Sequence, residues 1–448
     1  MDAFEQIVGT INGLVWGPYM LVAILGTGLF LMVALRFMPL LNIRRGFKLI
    51  GAKTESGADA QGDISPFAAL MTGLAATVGT GNIVGVAGAL LIGGPGALFW
   101  MWVTALVGMA TKYSEVVLAV HFREKDANGQ MVGGPMYAIK NGLSARWAWV
   151  GIAFAIFGGL AGFGIGNMVQ TNAIASNLES AFGIKTLHTG IVLALLSALV
   201  LLGGIKWIGK VASALVPFMC IAYIAGAIGV IIVNIDQLPG AVALVFNSAF
   251  STTAAVGGFT GAAIMVALQQ GVARGIFSNE AGLGTAGIAQ AAGVTSSPVR
   301  SGLIGMMGTF IDTIIVCSLT GFAILTSGLW TSGRDAKATA TSMAFDNAFP
   351  GIGQEFVTIG LCLFAFTTVL GWAYYSEKCW EFLVGEWAIL PFRIVWVIAV
   401  LIGTIFQDDL VWNIADTLNG MMAIPNLIAL LALSGVVVAL TRAHFAKS

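Results

Sequence analysis

Runs of apolar residues as long as a bilayer's hydrocarbon core is thick recur along this chain, and they decide what it can fold into. A core of about 30 Å is crossed by roughly 20 helical residues. Eleven such runs are read, at 14–35, 65–93, 95–121, 147–182, 187–203, 209–233, 255–292, 299–327, 351–384, 389–406 and 411–440. With 58% hydrophobic and 9% charged residues, and a mean hydropathy of +0.91, the chain has too little polar surface to face water on all sides. Ten-residue segments of alternating polarity, which a membrane β-barrel requires, are absent. The expected fold is therefore an all-α integral membrane protein of about 11 transmembrane helices. The polar stretches 36–64, 122–146 and 328–350 are too short for cores of their own, so residues 1–448 read as a single membrane domain.

Positive charge alternates between loops. Arg36, Arg44, Arg45, Lys48 and Lys53 follow the first run, Arg123, Lys125, Lys140 and Arg146 the third, and Lys206 and Lys210 the fifth. Arg300, Lys378, Arg393, Arg442 and Lys447 continue that side, whereas the other side carries only Lys185, Arg334 and Lys337. The positive-inside rule then places the N-terminus outside and the C-terminus in the cytoplasm of a plasma (inner) membrane protein. The opening MDAFEQIVGTINGLVWG has neither a cationic n-region nor a small-residue cleavage site, so the first run is expected to be retained. Cys220, Cys317, Cys362 and Cys379 show no CxxC spacing, and His121, His188 and His444 each lie near a run's end. No disulfide framework, zinc site, cofactor or nucleic-acid partner is expected.

Two of the runs are interrupted. Gly79-Thr80-Gly81-Asn82 sits in the middle of 65–93, and Ser278-Asn279-Glu280-Ala281-Gly282 in the middle of 255–292. Glycines in membrane helices commonly serve close packing, and Gly85/Gly88 and Gly158/Gly162 are read in that way. Asn and Glu have no packing use at mid-membrane unless something polar needs them. Two breaks at matching places suggest an internal repeat, 65–233 and 255–440, preceded by one extra N-terminal helix at 14–35. Each repeat holds five runs, and five is odd, so the halves enter the membrane from opposite faces. Such inverted repeats carry substrate and ion sites where their broken helices meet.

An opened turn frees N–H groups at the start of one half-helix and carbonyls at the end of the other. The N–H groups suit a carboxylate, and the carbonyls a small hard cation such as Na⁺. An α-amino acid carried with Na⁺ answers both needs. Phe163, Asn167, Gln170 and Asn177 fall on one face of the fourth run. Gln170 suits a carboxylate or an ammonium, or else an interhelical hydrogen bond. Thr367 and Thr368 offer adjacent hydroxyls for sodium, or bonds back to their own helix. Asp312, deep in the eighth run, is a functional candidate by default: a sodium ligand, a proton carrier, or an organiser of a broken helix. Arg274 and Glu280 flank the second break and can pair or serve as gate charges.

GGPGALFWMWVTALVGM at 93–109 resembles the signature of the alanine or glycine:cation symporters, the sodium:alanine symporter family. GTGNIVGVAGAL, ARGIFSNEAGLGTA and the FIDT stretch are similar to that family as well. The resemblance implies the leucine-transporter fold with one additional N-terminal helix, and a sodium-coupled symporter importing alanine and glycine by alternating access. It further implies that the Ala75 and Val78 carbonyls with Thr367 and Thr368 hold sodium, and that the Thr80 and Gly81 amides hold the substrate carboxylate. Thr77 and Asn82 match positions serving a second sodium in some members of that fold. Phe163, Phe277 and Trp372 are expected to wall a small pocket, with Ser278 and Asn279 beside it. The alternative reading is a proton-coupled amino-acid symporter with Asp312 as proton carrier.

Overall fold

The structure, a computed structural model, describes residues 2–54, 60–250, 260–406 and 409–446. In chain order the helices are α1 (Asp2–Val15), α2 (Pro18–Ala34), α3 (Met38–Leu41), α4 (Ile43–Ile50), α5 (Pro66–Thr77), α6 (Val86–Gly93), α7 (Gly96–His121) and α8 (Pro135–Gly142). They continue as α9 (Ala148–Ala161), α10 (Val169–Phe182), α11 (Thr186–Leu202), α12 (Gly204–Val233), α13 (Leu238–Phe250), α14 (Thr260–Asn279) and α15 (Thr285–Ala291). The rest are α16 (Pro298–Thr309), α17 (Ser318–Thr326), α18 (Ala340–Ala348), α19 (Gly353–Val384), α20 (Ile389–Ile405), α21 (Asp409–Ala432) and α22 (Ser434–Ala446). A two-residue antiparallel pair, β1 (Glu124–Lys125) with β2 (Met131–Val132), closes the loop after α7.

Among the described residues, eight helices are long and apolar enough to cross a membrane, and α5 with Gly81–Gly93 makes a ninth if that bent pair is one span. Of the other expected runs, 187–203 is the apolar helix α11, 17 residues long. The run at 255–292 is α14 and α15 with a break between them; its first residues, 255–259, lie outside the described residues, as does Lys447.

The first break is sharper than the sequence implies. α5 starts from Ser65, whose hydroxyl accepts the Ala68 amide, and ends at Thr77. Only Val78 and Gly79 leave the helical path before Thr80 resumes it, and the axis turns by 53°. Gly81–Gly85 then continues as a π-helical turn into α6. Two further π-helical stretches interrupt spans, Gly162–Met168 between α9 and α10 and Phe310–Cys317 between α16 and α17. Such wide turns recur at functional sites because they push a residue out of register with its helix. All three contribute residues to, or lie beside, the two breaks.

Close approach around the breaks depends on missing side chains. A Cβ on Gly166 would collide with Trp372, one on Gly164 with Ala415, and one on Gly162 with Ser376. A Cβ on Gly371 would stand 2.8 Å from the Ala76 nitrogen, so α19 lies directly against α5. Gly158 is a packing glycine as expected: a Cβ there would stand 3.1 Å from the Cys379 and Met422 sulfurs. Gly85 and Gly88 are not: a Cβ would meet only Arg274, at 4.0 Å, in the first case and nothing within 4 Å in the second. Their tolerance of small size reflects open space, not a crossing helix.

At one end of the bundle the two broken helices are latched together. Gln61 and Ile64, just before α5, pair with Thr295 and Gly293, just after α15. Arg123, just beyond α7, donates to the carbonyls of Ala291 (2.8 Å), Gly293 (2.9 Å), Gln61 (2.8 Å) and Thr295 (3.0 Å).

Candidate functional site

The two breaks face each other. A Cβ on Gly81 would come within 3.1 Å of the Phe277 ring and 3.4 Å of the Ser278 backbone. Asp312, from the π-helical stretch after α16, pins them together. One carboxylate oxygen accepts from Asn82 Nδ2 at 2.7 Å and the other from Ser278 Oγ at 2.7 Å and Thr313 Oγ1 at 2.8 Å. Asn82 Oδ1 in turn accepts the Gly79 amide at 2.9 Å, an amide that would return to Ala75 in an uninterrupted helix. Asn279 donates to Thr313 at 3.0 Å and accepts the Ala281 amide at 2.9 Å. Asn82, Ser278 and Asn279, expected beside the substrate, are thus engaged in holding the two breaks to each other and to Asp312.

Between the breaks lies a cavity of about 20 Å³, lined by Ala76, Thr77, Gly79 and Gly81, by Ile165 and Gln170, by Phe277 and Glu280, by Thr368 and Trp372, and by Asn419. That is room for about one water molecule, which needs roughly 10–15 Å³ of such space, so the site is closed down around its lining side chains. Gln170 Oε1 stands 3.4 Å from the Thr80 amide, and Gln170 Nε2 donates to the Ile165 carbonyl at 3.0 Å, freed by the wide turn there. Glu280, at the left-handed φ of 56°, accepts from Trp372 Nε1 at 2.8 Å and from Thr285 Oγ1 at 2.5 Å. A non-glycine residue holds that conformation only where its surroundings impose it. Two buried oxygens at this site, Thr80 Oγ1 and Asn419 Oδ1, have no hydrogen-bond partner among the described residues.

Oxygen atoms converge beside the first break. Thr368 Oγ1 lies 3.4 Å from the Val78 carbonyl and 3.0 Å from the Phe364 carbonyl, which also receives Thr367 Oγ1 at 2.9 Å. Uncharged hydroxyl and carbonyl oxygens of this kind suit a hard cation. Thr77 lines the cavity but bonds back to the Gly73 and Leu74 carbonyls at 3.2 and 3.3 Å.

Three expectations change. Phe163 is not in the cavity wall; its ring packs on Phe392 and Trp396, with centroids 5.5 and 5.1 Å away, because the wide turn at Gly162–Met168 rotates it toward α20. Asn167 follows it, donating to the Trp396 carbonyl, and Asn177 bonds back to Ala173, so only Gln170 of that face reaches the cavity. Glu280 gives its carboxylate to Trp372 and Thr285, while the Arg274 guanidinium lies 5.6 Å above the Phe277 ring.

The sequence reading also passed over residues that shape the site. Glu115, on α7, accepts the Gly282 and Gly284 amides at 2.9 and 3.0 Å and Asn426 Nδ2 at 2.8 Å, satisfying the unwound turn of the second break. Lys112, one turn earlier, is buried with no hydrogen-bond partner for Nζ among the described residues. Both are charges inside an apolar run, the same signal that picked out Asp312. Asn419 and the Phe364 carbonyl carried no signal of their own.

The model of the sodium:alanine symporter family matches residues 1–448. The chain is 52% identical over 447 residues to the sodium/alanine symporter AgcS of Methanococcus maripaludis, covering 98% of this chain and 97% of that one. It is 39% identical over 437 residues to the probable sodium/glutamine symporter GlnT of Bacillus subtilis, covering 97% and 89%. Among solved structures it resembles MhsT in complex with L-phenylalanine, with a TM-score of 0.59 at 13% identity over 85% of this chain and 98% of that one. It also resembles Mhp1, a nucleobase-cation-symport-1 family transporter, with a TM-score of 0.52 at 12% identity over 86% and 80%. At such identities the likeness is one of fold, and that fold is the leucine-transporter-like architecture.

Proposed function

Because this chain belongs to the sodium:alanine symporter family, whose members are membrane transporters and not enzymes, we propose that it imports a small neutral amino acid, alanine or glycine, together with Na⁺ by alternating access. The observation that carries this reading is the small cavity between two helix breaks, with an oxygen cluster on one side and hydrogen-bonding groups on the other. Sodium would sit among the Val78 and Ala75 carbonyls, Thr367, Thr368 and the Phe364 carbonyl. The substrate carboxylate would take the Thr80 and Gly81 amides, with Gln170 turning to donate its Nε2. Glu280 and the unpartnered Asn419 Oδ1 offer acceptors for the ammonium. Phe277 and Trp372 crowd the site, which favours a substrate whose side chain is no larger than a hydrogen or a methyl.

Sodium at the first break would offset the repulsion between carbonyls there and order the amides that hold the substrate, so each ligand strengthens the other's binding. The Asp312 pin couples this break to the second, so that ordering one orders both. The 65–233 and 255–440 halves are proposed as the inverted repeats that rock around this site, with the N-terminus outside and the C-terminus in the cytoplasm. A proton-carrying Asp312 is not favoured: both of its oxygens accept hydrogen bonds that hold structure. Labelled alanine uptake into proteoliposomes tests the reading. Accumulation under an inward sodium gradient, and not under a proton gradient alone, is expected; the reverse pattern would overturn sodium coupling.

A further inference from the structure

Directly after the N-terminal membrane helix Gln6–Ala34, the chain turns sharply through two left-handed residues, Arg36 at φ 54° and Phe37 at φ 57°. It then runs as α3 and α4 across the end of the bundle. α4 is strongly two-sided. Its inner face is fixed by Gly46, where a Cβ would lie 2.5 Å from the Met307 sulfur and 3.0 Å from the Leu303 carbonyl, so α4 is seated on α16. Arg45 ties the same helix to α22, its guanidinium 3.4 Å from His444 Nε2 and 4.9 Å from the Phe445 ring centre.

The outer face carries Arg44 and Lys48, one helical turn apart and exposed, with Phe47 beside them, 42% exposed while its ring packs edge-on against Phe310. Arg36, Phe37 and Leu41 extend it, Leu41 being 78% exposed. From Arg36 to Thr54 there are five Lys or Arg residues and no acid. The positive-inside rule accounts for how many cations lie here, but it does not require them to share one face with exposed aromatic and leucine side chains. That combination suits the boundary between headgroups and acyl chains, where apolar groups enter the lipid and cations meet phosphate. The strip is continuous with a membrane helix, so its distance from the bilayer edge is fixed by the fold.

We propose that the outer face of the 36–50 strap is a docking site for the headgroups of anionic phospholipids, and that their binding braces α4 against α16. Because α16 runs straight into the turn bearing Asp312, the brace bears on the element that pins the two breaks. Each cation near an anionic surface adds attraction, which salt screens.

The test uses the full-length protein, delipidated in detergent and supplied with phosphatidylglycerol or phosphatidylcholine, with retained lipid read by native mass spectrometry and stability by thermal unfolding. Wild type is expected to retain phosphatidylglycerol at least tenfold over phosphatidylcholine, and to be stabilised by it. R36Q/R44Q/K48Q should lose most of that preference, whereas R36K/R44K, which keeps the charge, should preserve it. Equal retention of the two lipids by wild type would overturn the proposal, as would an undiminished preference in R36Q/R44Q/K48Q. So would equal stabilisation by inorganic phosphate at matched ionic strength, which would make the strap a site for free anions.

Discussion

Asp312 does the work of a cross-pin, and the residues on either side of it show which roles a sequence can disclose. A carboxylate in an apolar run must be satisfied, so its importance was legible. Its partners were not, because Asn82 and Ser278 lie 230 and 34 positions away and meet it only in the folded chain. Removing the carboxylate leaves buried donors unmet at both breaks, each costing about 1–3 kcal/mol. Asp312→Ala should therefore lower thermal stability and abolish uptake, whereas Asp312→Asn should keep more of both; equal losses in uptake and melting temperature would argue against the pin. Phe163 was misplaced because helical spacing assumes 3.6 residues per turn, and the wide turn breaks that count. Phe277→Ala should admit serine and valine as competitors of alanine, while Phe163→Ala should leave the competition profile unchanged. Thr368→Ala should raise the sodium concentration needed for half-maximal uptake, and Gln170→Ala chiefly that of alanine, with tenfold effects corresponding to about 1.4 kcal/mol.

Elements obey a second logic, in which the helices around the cavity are set by what their glycines omit. Gly371 faces the Ala76 backbone, which cannot yield, so Gly371→Ala should destabilise by the cost of overpacking, about 1–3 kcal/mol. Gly88 faces open space, and Gly88→Ala should be neutral or stabilising by up to about 1 kcal/mol through helix propensity. Thermal unfolding of the two variants in the same detergent checks the contrast. Both glycines look alike in sequence; only the neighbour across the crossing separates them. The broken helices themselves were legible because glycine and polar residues at mid-membrane admit few other readings. The extent of the first break was not, since Asn82 recaptures the Gly79 amide and limits the unwinding to Val78 and Gly79.

For the molecule as a whole, most of the architecture was written in apolar run lengths, because the bilayer fixes helix length whatever the sequence between. The function was carried by the meeting of two breaks that lie about 200 residues apart in sequence. If sodium and alanine each order the same pair of breaks, their effects on stability are linked and reciprocal. Alanine should raise the melting temperature by several degrees in sodium and much less in choline of equal ionic strength, and the sodium midpoint should fall when alanine is present. Independent shifts would separate the two sites. The latch at Arg123 has a consequence of a different sort. All four of its acceptors are main-chain carbonyls, at Gln61, Ala291, Gly293 and Thr295, so no side-chain replacement at those positions removes an acceptor. The joint is therefore lopsided in its vulnerability: side-chain changes on its acceptor side leave every acceptor in place, whereas the four hydrogen bonds that Arg123 adds to the main-chain pairing of the two segments hang on one codon.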